Sequence, residues 1–264
     1  MKGQIRTFII FIIVLAALGF YAVVPFRLTY AEVVLRKISL PLSHTTPALT
    51  SSPHNSSSTT PHPTRPAQQG KARPIKGKVR ILFFGDSMLE ELSRRLDDYV
   101  LANGYTMQTV IWYGSTTEKW GMTQTLRHLI DEYKPSYLWI CLGGNELFVR
   151  NLEERDAYIK LLMSQMGDLP FVWIGPPCWK KDTGINDLIR RNVGDGQFFD
   201  SSQLQLKRKA DGRHPNHEAA AKWGDEVALW MQSRKCSYPL TMHKPRKPGK
   251  CPVRLLQPSF EGFQ

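Results

Sequence analysis

Val79-Arg80-Ile81-Leu82-Phe83-Phe84-Gly85-Asp86-Ser87 is the stretch on which the reading of this chain turns. Val79–Phe84 is an apolar run of the kind found in strands buried on both faces of a sheet. Directly after it the period changes. Across Met88–Asn103, apolar side chains recur at Leu89, Leu92, Leu96 and Val100, the spacing of one helix face. A strand that stops at Gly-Asp-Ser and passes straight into a helix exposes the serine hydroxyl. It also sets backbone N–H groups beside that hydroxyl at a helix start, where the dipole favours negative charge.

The alternation continues downstream. Strands are predicted at Met107–Tyr113, Ser136–Leu142, Phe171–Gly175 and Gln197–Asp200. Helices are predicted at Met122–Tyr133, Glu153–Met166, near Ile185–Asn192 and at Pro215–Ser233, with Pro215 near the first turn of the last. Strands alternating with helices imply an α/β domain, with a five-stranded parallel sheet covered on both faces and right-handed crossovers. Sites in such sheets form at the carboxyl ends of the strands.

Three more peptides fall at those ends: Gly114, Gly143-Gly144-Asn145 and Asp211-Gly212-Arg213-His214. A serine hydroxyl needs a base before it can attack, and His214 is the candidate. Asp211 lies three residues upstream, close enough to fix the imidazole tautomer. His217 is the rival base. Attack on an acyl carbonyl creates an oxyanion, which needs donors already in place. The Ser87 N–H, the N–H of Gly114 and the side-chain amide of Asn145 are the candidates. Taken singly, each peptide is also what an ordinary turn or helix cap contains.

Taken together, Ser, Gly, Asn and an Asp/His pair stand at the ends of strands one, two, three and five. That order resembles the block pattern of the SGNH (GDSL-type) hydrolase family over about residues 79–233. The resemblance implies a three-layer flavodoxin-like α/β domain that needs no metal or organic cofactor. It implies Ser87 as nucleophile and oxyanion donor, Gly114 and Asn145 as the remaining donors, His214 as base and Asp211 as its orienting carboxylate. Members of the family cleave acetyl, acyl and thioester bonds, and some transfer acyl groups to sugars. One departure is visible: Glu146 stands where many members have Asp, which is expected to alter loop packing rather than chemistry.

The flanks set the context. The formal net charge is +12, but residues 1–76 carry nine Lys/Arg against one acid, and residues 236–264 carry five against one. Residues 77–235 carry 21 of each sign. The excess therefore belongs to the flanks, which points to anionic lipid or wall polymer rather than nucleic acid as partner, with simple solubility and membrane topology as the competing explanation. Phe8–Phe26 is a 19-residue run without formal charge, long enough for one bilayer crossing. An uncleaved anchor is favoured over a cleaved signal peptide, because the apolar run continues through Val24, beyond the weak small-residue site at Ala17-Leu18-Gly19.

The expected organisation is an anchor over 1–27, a Ser/Thr/Pro-rich flexible linker over 28–76, a hydrolase-like domain over 77–235 and a basic tail over 236–264. The start of the linker has helical character through Val34. Localisation follows as single-pass in the cytoplasmic (inner) membrane, with the domain on the periplasmic side. Of the four cysteines, Cys141 reads as a buried apolar residue; Cys178, Cys236 and Cys251 leave the pairing open, with a Cys236–Cys251 bridge among the options. The expected substrate is an O-acetyl ester of an envelope glycan or peptidoglycan, with Trp112, Trp120 and Trp179 on the rim. The alternatives are an O-acetyltransferase fed by an acetyl-donor membrane protein, a lysophospholipase or thioesterase, and a glycan-binding assembly protein without turnover.

Overall fold

A computed structural model describes residues 29–30, 33–34, 75 and 77–264. The apolar run at 8–26 and the Ser/Thr/Pro stretch lie outside the described residues. Among the described residues, no helix is long and apolar enough to cross a membrane. The chain divides at Pro61 into two units. In the first, Thr29–Tyr30 pairs antiparallel with Val33–Val34, where helical character was expected.

The second unit is an α/β domain. Its strands are β1 (Arg80–Gly85), β2 (Thr106–Trp112), β3 (Tyr137–Cys141), β4 (Phe171–Ile174), β5 (Phe198–Phe199) and β6 (Val253–Leu256). They form one sheet in the order β5-β4-β3-β1-β2-β6, and every pair is parallel. β1 lies between β2 and β3, so the chain reverses its direction of travel across the sheet after β2. The crevice at such a reversal is where open parallel sheets place their ligands.

Period-two alternation divides the core into two layers. Ile81, Phe83, Ile111, Trp139 and Cys141 face α1 (Leu89–Ala102) and α6 (His217–Met231), packing with Leu92, Leu96, Trp223 and Val227. Leu82, Phe84, Val110, Trp112, Leu138 and Ile140 face the opposite layer. That layer contains α2 (Thr117–Met122), α3 (Thr125–Tyr133), α4 (Leu152–Met166) and α5 (Ile185–Val193). Each fully buried large side chain stabilises the fold by about 1.5–3 kcal/mol relative to exposure, and Ile81 through Phe84 are all fully buried.

Two element boundaries differ from expectation for local reasons. The helix expected over Met122–Tyr133 begins at Thr125, and a separate short helix, α2, ends at Met122. Thr123 is extended between them (φ −116°, ψ 161°), and its hydroxyl donates to the Lys119 carbonyl at 2.8 Å. The last helix begins at His217 rather than Pro215, because the Asn216 side chain caps it by accepting from the Ala219 N–H at 2.9 Å.

The larger correction is that the sheet has six strands, not five. The sixth comes from the segment expected to be a basic tail, and it pairs with β2 from Thr109↔Val253 to Trp112↔Leu256. Cys236, Leu240, Met242 and Cys251 of that segment are buried in the α1/α6 layer. Its backbone donates to α1 twice, from Gly249 N to Asp98 Oδ1 (2.7 Å) and from Cys251 N to Asp97 Oδ2 (3.1 Å). Arg254 pairs with Glu132 of α3. All four cysteines are free, so the Cys236–Cys251 bridge does not form.

Candidate active site

The end of β1 is shaped by a close approach. Asp86 N donates to Cys141 O of β3 at 3.1 Å. A Cβ on Gly85 would sit 1.8 Å from that same carbonyl oxygen, so only glycine fits. Asp86 is fully buried, and its two carboxylate oxygens accept from Met88 N (2.9 Å) and Gly144 N (2.9 Å). Burial pushes its pKa up to about 6, against the pull of those two N–H groups. Asp86 thus ties the turn that carries Ser87 to the loop that carries Asn145.

His214 comes from a hairpin over residues 207–216. Lys209 N donates to His214 O (2.8 Å), Asn216 N donates to Lys207 O (2.9 Å), and Gly212 makes the turn at φ +67°. Arg208 braces the hairpin. Its guanidinium donates to Arg213 O (3.0 Å) and to Cys178 O (3.0 Å) in the loop after β4. Neither Arg208 nor Asp86 was singled out from sequence. The Asp86 role follows from a strand end that must be capped, whereas nothing local to Arg208 marks its partners.

The hairpin delivers His214 to Ser87. Ser87 Oγ lies 2.8 Å from His214 Nε2, and His214 Nδ1 lies 2.7 Å from Asp211 Oδ2. An ionised carboxylate only accepts, so Nδ1 carries the ring proton and Nε2 is left to accept from the serine hydroxyl. The other Asp211 oxygen, Oδ1, accepts from Arg213 N (2.8 Å) and His214 N (3.0 Å). The Arg213 N–H above all, and then the His214 ring and N–H, hold the Asp211 carboxyl far below the usual carboxylate range. Asp211 is therefore both charged and fixed in direction. His217 stands apart from this relay: it is exposed, and its Nδ1 lies 3.4 Å from Glu91 Oε2.

The candidate oxyanion donors lie on the neighbouring loops. Asn145 is exposed, and one of its two amide hydrogens goes to Ser115 O (Nδ2 to O, 2.9 Å), leaving the other unused. Gly114 is exposed at φ +65°. Among the described residues, neither the Ser87 nor the Gly114 N–H donates to an acceptor. Glu146 is buried and accepts from Thr117 N (2.8 Å) and Thr117 Oγ1 (2.7 Å), joining the Asn145 loop to the start of α2. Burial raises its pKa despite those bonds.

The aromatic rim is corrected. Trp112 and Trp120 are fully buried; they meet edge-on with centroids 5.3 Å apart, and Trp120 Nε1 donates to Ser115 Oγ at 3.0 Å. They pack the layer beneath the site and cannot line its mouth. Trp179 remains at the surface, half-buried, with its ring edge-on to exposed Phe148 at 5.7 Å.

No protein-family model and no curated protein matches the chain. Among solved structures it is similar to a lipase/acylhydrolase from Enterococcus faecalis, at 20% identity and a TM-score of 0.47, over 56% of this chain and 93% of that one. It is also similar to a gut microbial diltiazem-metabolizing enzyme, at 12% identity and a TM-score of 0.41, over 63% of this chain and 48% of that one.

Proposed function

We propose that the protein is a serine esterase that cleaves acyl esters, with O-acetyl groups on a cell-envelope glycan or peptidoglycan as its substrates. The observation that carries the reading is the continuous relay Ser87 Oγ–His214 Nε2 (2.8 Å) and His214 Nδ1–Asp211 Oδ2 (2.7 Å). In that reading His214 takes the Ser87 proton as Oγ attacks the acyl carbonyl. The oxyanion accepts from the Ser87 and Gly114 N–H groups and from the free amide hydrogen of Asn145. The imidazolium, stabilised by Asp211, then protonates the leaving alcohol. Water repeats the sequence on the acyl-serine and returns the enzyme.

The acetyl and envelope parts of the proposal rest on the sequence: the uncharged run at 8–26, the Ser/Thr/Pro stretch after it and the basic flanks. With the membrane run as an inner-membrane anchor, the domain faces the periplasm and meets polymer rather than cytosolic metabolites. The test uses the full chain in detergent. Acetate release is followed from p-nitrophenyl acetate and from O-acetylated peptidoglycan, for the native chain and for Ser87→Ala. Turnover of both substrates, abolished in the variant, supports the reading. Turnover that survives Ser87→Ala overturns it. Transfer of acetyl to an added sugar acceptor in place of release to water would make the protein a transferase.

A further inference from the structure

Phe148 is 48% exposed and Trp179 is half-buried, so both rings keep part of their surface open to solvent. They meet with centroids 5.7 Å apart at an interplanar angle of 86°, so the two rings form a right-angled corner. The corner is rigidly mounted. Phe148 lies on the loop after β3 and Trp179 on the loop after β4, and Thr183 sews the two loops together. Its N–H donates to Leu147 O (2.8 Å), and its hydroxyl reaches Leu147 O (3.2 Å) and Val149 O.

The corner is also tied to both sides of the candidate active site. Phe148 follows Asn145 by three residues on one short loop. On the other side, Arg208 joins the residue before Trp179 to the residue before His214, through Cys178 O and Arg213 O at 3.0 Å each. The two rings are therefore mounted on the loop that presents the Asn145 amide and on a loop bonded to the hairpin that presents the His214 imidazole.

Four cations belong to the loops that carry the corner and the His214 hairpin. Arg150, Lys180, Lys181 and Arg213 are all exposed, and none makes an ion pair among the described residues. Two acids of the adjoining loops are already committed. Asp182 accepts from Asn186 Nδ2 (2.8 Å) and Gly184 N (2.5 Å), and Asp211 holds His214. Residues 77–235 as a whole are balanced at 21 cations and 21 acids, so this local excess is a property of place and not of composition.

Flat apolar ring faces take the C–H faces of a sugar, while free cations beside them take carboxylate or phosphate. We propose that the Phe148–Trp179 corner, flanked by Arg150, Lys180, Lys181 and Arg213, is a subsite for an acidic saccharide unit of an esterified glycan. The proposal deepens the ester-cleaving reading and rests on it for the direction in which the polymer lies. Association is steered by the cations and weakens with salt, because exposed charges are screened over about 8 Å at physiological ionic strength.

The experiment separates the subsite from the chemistry. Equilibrium binding of the full chain in detergent is measured by isothermal titration calorimetry. The three polymers are polygalacturonate (charged rings), dextran (uncharged rings) and polyglutamate (charge without rings). Hydrolysis of p-nitrophenyl acetate by the same preparation reports on the esterase reading independently. Polygalacturonate is expected to bind at least about tenfold tighter than either other polymer. That margin should shrink with added salt, with Lys180→Glu/Lys181→Glu and with Phe148→Ala/Trp179→Ala. Trp179→Phe, which keeps a ring, should restore most of the affinity and guards against a folding artefact. Equal binding of polyglutamate or dextran, or a margin untouched by both double variants, overturns the subsite even if the ester is cleaved. Selective binding of polygalacturonate without ester turnover would instead leave the subsite standing and remove the esterase.

Discussion

Ser87 and His214 are 127 positions apart in the chain, yet Ser87 Oγ and His214 Nε2 lie 2.8 Å apart. The contact is the sum of two independent constructions. One is the turn at the end of β1, fixed by Gly85 and by the Asp86 bonds to Met88 and Gly144. The other is the 207–216 hairpin, braced by Arg208. Removing either end of the contact while leaving both constructions intact isolates its chemistry. Ser87→Ala and His214→Ala should each lower kcat on an acetyl ester by about 10⁴-fold or more. Neither should shift the melting temperature by more than a few degrees. A variant with native folding and native turnover would remove the relay from the mechanism.

Asp211→Asn tests the tautomer. Two backbone N–H groups, from Arg213 and His214, require an acceptor at the Oδ1 position. The asparagine oxygen therefore goes there, and its NH₂ faces His214 Nδ1. Two donors cannot bond, so the ring proton moves to Nε2, which can then no longer accept from Ser87. Activity should fall by about 10²- to 10⁴-fold, with the loss in kcat rather than KM. The carboxyl of Asp211 is held far below the usual range, so it stays ionised throughout the neutral and mildly acid region. Its contribution to stability is present above the ordinary aspartate pKa and is lost only in strong acid. Any fall in rate between about pH 5 and 7 in the native chain must come from another group.

Asn145→Ala should cost about 10²- to 10³-fold in kcat, the usual effect of removing one oxyanion donor. Because Asn145 Nδ2 also donates to Ser115 O (2.9 Å), the substitution loosens the link between two site loops. Asn145→Asp separates these effects: it keeps the size but replaces the donor with an acceptor, and it should be at least as damaging. A small loss in both variants would mean that the two backbone N–H groups suffice.

How much of this was legible follows from burial. β1 and β3 lie inside the sheet with both faces covered, so their sequences are nearly unbroken apolar runs and can be read directly. β6 lies at an edge, reads Val-Arg-Leu-Leu, and is half-exposed along its length. Its identity as a strand comes from β2, which supplies the hydrogen bonds, and nothing within four residues encodes that. Position along a strand indicated that Trp112 lies at the active end, but not which way it points. Parity would have shown it: Trp112 is two residues from Val110, and both face the α2–α5 layer. Trp120 is hidden for a different reason, because the short helix that carries it folds back beneath the Ser115 hydroxyl. The aspartate and histidine were legible because one tight turn holds both. Arg208 was not, because the bond that ties its hairpin to the rest of the domain goes to Cys178 O, thirty residues away in a loop set elsewhere.

Gly85→Ala should be among the most damaging single-methyl changes in the domain. The added carbon would meet Cys141 O at 1.8 Å and Cys141 C at 2.6 Å, both backbone atoms that cannot rotate away. Relief requires β1 and β3 to separate at the end where Asp86 N donates to that carbonyl. A loss of about 3 kcal/mol or more is expected, seen as a lower midpoint in urea unfolding. A near-native midpoint would show that the strands part here at little cost.

Asp97 carries the remaining prediction, and it concerns the clamp that holds β6. It is 3% exposed; its Oδ2 accepts from Cys251 N at 3.1 Å, while Oδ1 has no partner among the described residues. Burial above all pushes its pKa up to about 6, with the Cys251 N–H opposing. In the unfolded chain the group returns to its ordinary value of 3.8. An acid whose pKa is raised by folding favours the folded state most while it is protonated. Its contribution is therefore complete below the unfolded pKa and is lost as pH rises through the folded one. Between about pH 4 and 6 the domain should lose stability on the order of 2–3 kcal/mol from this residue. Asp86, also raised to about 6, adds a similar slope. Asp97→Asn keeps an acceptor for Cys251 N but cannot ionise. Its melting temperature should fall less than that of the native chain across the same interval, whatever the absolute offset. Parallel curves for the two proteins would mean that Asp97 ionises as easily in the folded state as in the unfolded chain, and that the clamp does not respond to pH.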